Sequence, residues 1–166
     1  MFQWRSLPTV EKWLLDFLFS PNIKLAKAAA RALSRSNSIL IREEALRLVL
    51  SEKPEMIATG IQILENSYLK EDSKPIYESL KFLKDSEHRH FAGINIKDIC
   101  KKSGGPELRE SIIWLYENGP DSFCRGSFLK LLLEWNNCPE EIAWEAQWDC
   151  ASETTMIARN ASTKFS

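Results

Sequence analysis

Two tryptophans four residues apart, Trp144 and Trp148, lie among a row of acids at Glu141, Glu145 and Asp149, with Glu140 just before them. On a helix that spacing puts both indoles on one face and the three carboxylates on a parallel strip. Aromatic anchors with a charged rim are the make-up of protein-binding hot spots, and an acidic rim suits a basic partner by steering its approach. Two structural alternatives stand beside this reading. Glu140 and Glu141 complement the helix dipole from the first turn, and a following helix can cover the tryptophans as part of a core.

The other end of the chain is basic. Lys24, Lys27, Arg31 and Arg35 are spaced three, four and four apart, which aligns them along one helical strip as a candidate phosphate-binding row. No aromatic residue interleaves with them, as single-strand binding would require, and a solvated amphipathic face produces the same pattern. The formal net charge of −1 hides a gradient: residues 1–50 carry eight Lys/Arg against four Asp/Glu, and residues 105–166 carry five against ten. Such polarity suggests an elongated molecule.

Motifs for catalysis are missing. The only histidines, His88 and His90, flank Arg89. Two residues apart they cannot share a helix face, and no third metal ligand stands near them in sequence. A Cys-His or Ser-His-Asp arrangement would have to bring one of them to a distant nucleophile. Carboxylates are plentiful, yet acid–base work needs a shaped, desolvated pocket that nothing here indicates. Gly104-Gly105 precedes Pro106 without the lysine of a phosphate loop. The four cysteines, Cys100, Cys124, Cys138 and Cys150, show no CxxC spacing and read as core-filling thiols. The sequence is therefore read as non-enzymatic, with no catalytic residue, metal or cofactor.

The elements that position these residues are helices. All seven prolines stand where an apolar 3.6-residue pattern begins, which suits a residue that lacks the N–H a first helical position leaves unpaired. Alternating strand patterns and Asn-Gly turns are absent. Helices are expected at about 8–19 (Val10, Trp13, Leu14, Phe17 and Leu18 on one face), 21–36, from Asn37 or Ser38, 54–66 and from Asp72-Ser73 and Pro75. Gly93 is expected to divide the next stretch into a short helix with Phe91 and a second from Asn95. Further helices follow Pro106 and Asn118-Gly119-Pro120, then run from Pro139 to about Cys150 and from Ser152 to about Asn160, with a frayed tail from about 162. The third helix carries two apolar faces, Ile41/Ala45/Leu48/Val49 and Ile39/Leu46/Leu50, and is expected to be covered on both sides. The apolar run Trp13–Phe19 is too short to span a membrane and Asp16 interrupts it. With no basic leader visible, a cytoplasmic protein is expected.

Helix starts near 21, 54, 87, 120 and 153 recur at roughly 33-residue intervals, one helical hairpin each. The stretch Pro21-Asn22 through Ala28-Ala29-Ala30-Arg31-Ala32-Leu33, followed by Ile41-Arg42-Glu43-Glu44-Ala45-Leu46, resembles a HEAT/armadillo-like hairpin over about residues 20–66. That resemblance implies a single helical-repeat domain over 1–166, an all-α, right-handed α-solenoid of about five stacked hairpins. An irregular helical bundle is the structural alternative. In build the chain also resembles small all-α toxin-immunity proteins of bacteria. The function expected is a protein-binding module, most concretely an inhibitor of one basic, nuclease-like toxin, working through Trp144, Trp148 and the acids around them. Alternatives are a HEAT-like glycosylase for alkylated DNA, or a general scaffold.

Overall fold

Three helix starts are fixed by capping side chains. In the computed structural model, which describes residues 13–119 and 121–162, the Asn22 carboxamide oxygen accepts from the Lys24 and Leu25 amides at 3.1 and 3.4 Å. Asp85 accepts from the His88 amide at 2.8 Å, and Asp121 from the Cys124 amide at 2.7 Å. Each satisfies an amide that the first helical turn leaves without a carbonyl partner. Pro54 occupies the first turn of its helix, Pro106 opens a 3₁₀ turn and Pro139 precedes the helix at 140. Pro8 and Pro120 lie outside the described residues.

Among the described residues there are ten α-helices and no strand: α1 (Trp13–Asp16), α2 (Ile23–Leu33), α3 (Ile39–Val49), α4 (Pro54–Ile63), α5 (Ser73–Leu80), α6 (Ser86–Ser103), α7 (Arg109–Asn118), α8 (Ser122–Glu134), α9 (Glu140–Glu145) and α10 (Ser152–Ser162). Helix α1 continues as a 3₁₀ turn over Phe17–Phe19, and α9 as another over Ala146–Trp148. None of these helices is long and apolar enough to cross a membrane. The starts of α2, α4, α6, α8 and α10 fall close to the recurrence read from the sequence, and each of these helices packs on the next: α2 on α4, α4 on α6, α6 on α8 and α8 on α10. On the other side α3 contacts α5 and α5 contacts α7. A continuous apolar core runs between them, from Leu33, Ile41 and Ile57 through Ile96 and Ile112 to Phe128, Leu132 and Ile142.

The tightest contact joins α3 to α4. A Cβ placed on Gly60 would fall 2.6 Å from the Ala45 carbonyl oxygen and 2.8 Å from the Val49 amide nitrogen, so the two backbones meet where no side chain intervenes. Nearby, Arg42 of α3 holds Asp72, whose side chain is only 1% exposed. The guanidinium donates from Nε at 3.0 Å and from Nη2 at 2.5 Å, and Asp72 also accepts from the Leu69 amide at 2.8 Å. Asp72 is thereby hydrogen-bonded on both oxygens, and α3 is tied to the turn that begins α5.

Several sequence expectations change. Gly93 does not divide α6, which runs unbroken for 18 residues. Its Cβ would lie 2.9 Å from Phe128 Cζ, so the glycine makes room for a ring of α8 and does not end a helix. The second face of α3 is covered only in part: Leu46 packs against the core, whereas Ile39 is 72% and Leu50 61% exposed. Helix α9 stops at Glu145 and the backbone is extended at Asp149, which turns Cys150 outward instead of onto the Ile142/Ala146 face. Trp13 is half exposed and packs edge-on against Phe17 at 5.5 Å, while Leu18 is buried. Val10 and the expected frayed tail, residues 163–166, lie outside the described residues.

Gly60→Ala tests the α3–α4 contact. Alanine favours a helix interior by up to ~1 kcal/mol over glycine, but overpacking against backbone costs about 1–3 kcal/mol. Denaturant unfolding is expected to show net destabilisation, in contrast to the usual stabilising effect of this exchange in a helix.

Candidate functional site

The tryptophan pair is on the surface. Ile142 and Ala146 are buried, which at about 100° per residue turns positions 144 and 148 away from the core. Trp144 is 66% exposed and Trp148 73%, with ring centroids 6.5 Å apart and planes tilted by 60°. Helix α10 packs against α9 and its 3₁₀ extension without covering either indole. Glu140, Glu141 and Glu145 are exposed around them. The acidic field also reaches inward: burial first, then the Glu145 and Asp149 charges, push the buried Tyr116 hydroxyl up to about 12.

Asp149 does not continue that row. Its side chain is 4% exposed and receives Arg125 Nε and Nη2 of α8, each at 2.9 Å. Its other carboxylate oxygen accepts from the Ala151 amide at 2.8 Å, and its carbonyl accepts from Thr155 Oγ1 at 3.0 Å. The α-helix ends four residues earlier than the spacing required, so the carboxylate swings under the chain and becomes an internal anchor.

At the basic end, Lys24, Lys27 and Arg31 are exposed on α2. Arg35 is also exposed but lies past the helix, which ends at Leu33 with Ser34 as its cap. Lys27 borders a cleft of about 310 Å³ between α2, α4 and α6 that is also lined by Glu55, Glu87 and His88. Two acids in the same cleft make a poor cradle for phosphate. A second cleft, about 430 Å³, lies between α6, α8 and α10 and carries Lys97, Lys101 and Lys130 together with Glu134 and Glu153.

The structure also assembles a cluster that the sequence spacing conceals. His90 of α6 meets Asp121 and Cys124, which open α8, with Nδ1 3.0 Å from Asp121 Oδ2 and 3.4 Å from Cys124 Sγ. Arg89 ties α6 to the end of α7 by donating to the Asn118 carbonyl at 2.9 Å. Among the described residues these three side chains alone place His, Cys and carboxylate ligand atoms within metal-binding range, all within 4.8 Å of one another. The cluster is not a nucleophile relay, because Asp121 and Cys124 meet the same imidazole nitrogen and a relay needs one on each. Burial first, then the Asp121 charge, push the Cys124 thiol up to about 11 against a smaller opposing effect of Lys97. Burial raises Asp121 too, but the Cys124 amide and thiol and His90 outweigh it and leave the carboxyl below its ordinary value. Contacts separated by more than thirty residues carry no local signature. The one trace in sequence is the Asp121-to-Cys124 spacing of a helix cap.

Of the remaining cysteines, Cys100 is buried, Cys138 half-buried and Cys150 exposed, and all four thiols are free. His88 Nδ1 pairs with Asp85 at 2.6 Å across one helical turn. The chain matches no protein-family model, and comparison with curated proteins and with solved structures returned no match.

Alanine substitutions should separate the acids. Asp149→Ala strands the Arg125 guanidinium and removes the bond from the Ala151 amide, and is expected to cost about 2–4 kcal/mol of stability, allowing for the partial exposure of Arg125. Glu141→Ala and Glu145→Ala are expected within about 0.5 kcal/mol of wild type. Equal losses at all three positions in urea titrations would contradict the placement of Asp149.

Proposed function

We propose that this protein is a non-enzymatic protein-binding module, most concretely an immunity-type inhibitor that covers the active surface of one basic, nuclease-like toxin. The observation that carries this reading is the exposure of Trp144 and Trp148 side by side within an acidic rim. Covering the exposed part of each ring is worth about 2–4 kcal/mol, enough for two adjacent rings to dominate an interface. Glu140, Glu141 and Glu145 are free to meet cations at its edge and to speed encounter. The succession of α2, α4, α6, α8 and α10, each packed on the next, supports an α-solenoid of HEAT-like hairpins as the scaffold that presents this surface.

The glycosylase reading needs a free aspartate beside the tryptophans. Asp149 is spent on Arg125, and the indoles stand among acids that repel a phosphate backbone. Lys24, Lys27 and Arg31 leave nucleic acid as the reading to be set against the toxin in one experiment.

Tagged protein captured from its source cells is expected to retain a single stoichiometric basic protein. Trp144→Ala/Trp148→Ala should weaken that complex by at least about a hundredfold, as loss of hot-spot aromatics does. Glu141→Gln/Glu145→Gln should slow association and flatten its salt dependence. Retention of nucleic acid that survives the tryptophan exchange and is lost in Lys27→Ala/Arg31→Ala would overturn the proposal. A set of weak partners without a stoichiometric one would move it to a scaffold.

A further inference from the structure

We propose that His90, Asp121 and Cys124 form a mononuclear binding site for zinc(II), with one coordination position open to water. The three ligand atoms come from two elements far apart in sequence and already lie within 4.8 Å of one another, so that small side-chain adjustments bring them onto one ion. A tetrahedral zinc site with N, O and S ligands at their usual bond lengths has ligand–ligand edges of about 3.3–3.6 Å. Here Nδ1 is 3.0 Å from Oδ2 and 3.4 Å from Sγ, and the third edge lies within 4.8 Å. The fact that both neighbours approach the same nitrogen, which defeats a proton relay, is what coordination of one central ion requires.

The other carboxylate oxygen of Asp121 receives the Cys124 amide at 2.7 Å, which orients the group and leaves Oδ2 for the metal. The Arg89 bond to the Asn118 carbonyl ties α6 to the end of α7, three residues before Asp121. Cys124 is buried, whereas the His90 and Asp121 side chains are 44% and 38% exposed, so an ion can enter from solvent and keep a water ligand. Nitrogen and thiolate ligands select zinc over magnesium and calcium, which prefer oxygen alone. Binding displaces the Cys124 thiol proton to solvent, and the imidazole ligates through Nδ1 as the neutral tautomer that carries its proton on Nε2. The resulting thiolate and the Asp121 carboxylate balance the two charges of the ion, so the nearby Lys97 meets a neutral centre.

Cobalt(II), added to the chelator-treated full chain under reducing conditions, is the probe. One equivalent should produce a thiolate-to-cobalt charge-transfer band and the intense d–d absorption of a four-coordinate ion, and one equivalent of zinc(II) should abolish both. Cys124→Ser should remove the charge-transfer band, His90→Ala should weaken binding at least tenfold, and Cys150→Ser should change neither. No charge-transfer band in the wild type, or a band that survives Cys124→Ser and is lost in Cys150→Ser, would overturn the assignment. Should Cys124→Ser fail to fold, alkylation of the wild-type chain followed by peptide mapping decides the matter: zinc(II) is expected to slow modification of Cys124 at least tenfold, and an unchanged rate refutes the site.

Discussion

The ion pair between Arg125 and Asp149 decides what the C-terminal surface can be. Taking a carboxylate out of water is costly unless a cation and hydrogen bonds replace the lost solvent. Asp149 has both: the guanidinium of α8, and the Ala151 amide at the start of the last helix. This one side chain therefore joins α8 to the point where the chain leaves the α9 turn and enters α10. With that junction fixed, Ile142 and Ala146 face inward and the two indoles are left outside. The Arg42–Asp72 pair does similar service between α3 and the start of α5. In both places a short polar turn sits against the core because its acid brings a distant arginine with it.

Close backbone approach is the second constraint, and it acts through residues without side chains. Gly60 lets α4 lie against the Ala45–Val49 stretch of α3, and Gly93 receives the ring of Phe128 from α8. Ala29 and Ala30 are likewise small residues buried on α2. Contact between helices at such positions replaces water by dense packing on both sides, which is where short helices gain stability that their length alone does not provide. The apolar residues left over, Ile39 on α3, Leu50 at its end, Trp144 on α9 and Trp148 in its 3₁₀ extension, are thus not failures of the core. They lie on faces toward which no described helix turns.

Two kinds of surface chemistry result, at separate places. Beside α9 the acids are solvated and the aromatics bare, an arrangement suited to a large, basic, complementary surface. Between α6 and α8 the acid, imidazole and thiol are directed at one another, with the thiol held protonated by its surroundings. The first gains by excluding water over a wide area. The second gains by gathering donor atoms around a point.

Much of the architecture was legible in the sequence because it rests on local rules. Proline and capping residues mark where helices begin, the 3.6-residue apolar pattern marks their inner faces, and the recurrence of starts gives the order in which α2, α4, α6, α8 and α10 pack. The i, i+4 spacing likewise put Trp144 and Trp148 on one side of a turn. Whether that side met water or another helix was beyond it, since the answer depends on where α10 docks. The sequence also misplaced Asp149, because three acids in helical spacing look alike until a helix ends early and an arginine 24 residues away claims one of them. His90 and Cys124 lie 34 residues apart and carry no shared pattern. Local propensity depends on neighbours in the chain, so the sequence by itself determined where most helices begin and which residues form their inner faces. Exposure, ion pairing and the meeting of ligand atoms depend on neighbours in space, and only the packed tertiary structure decided those.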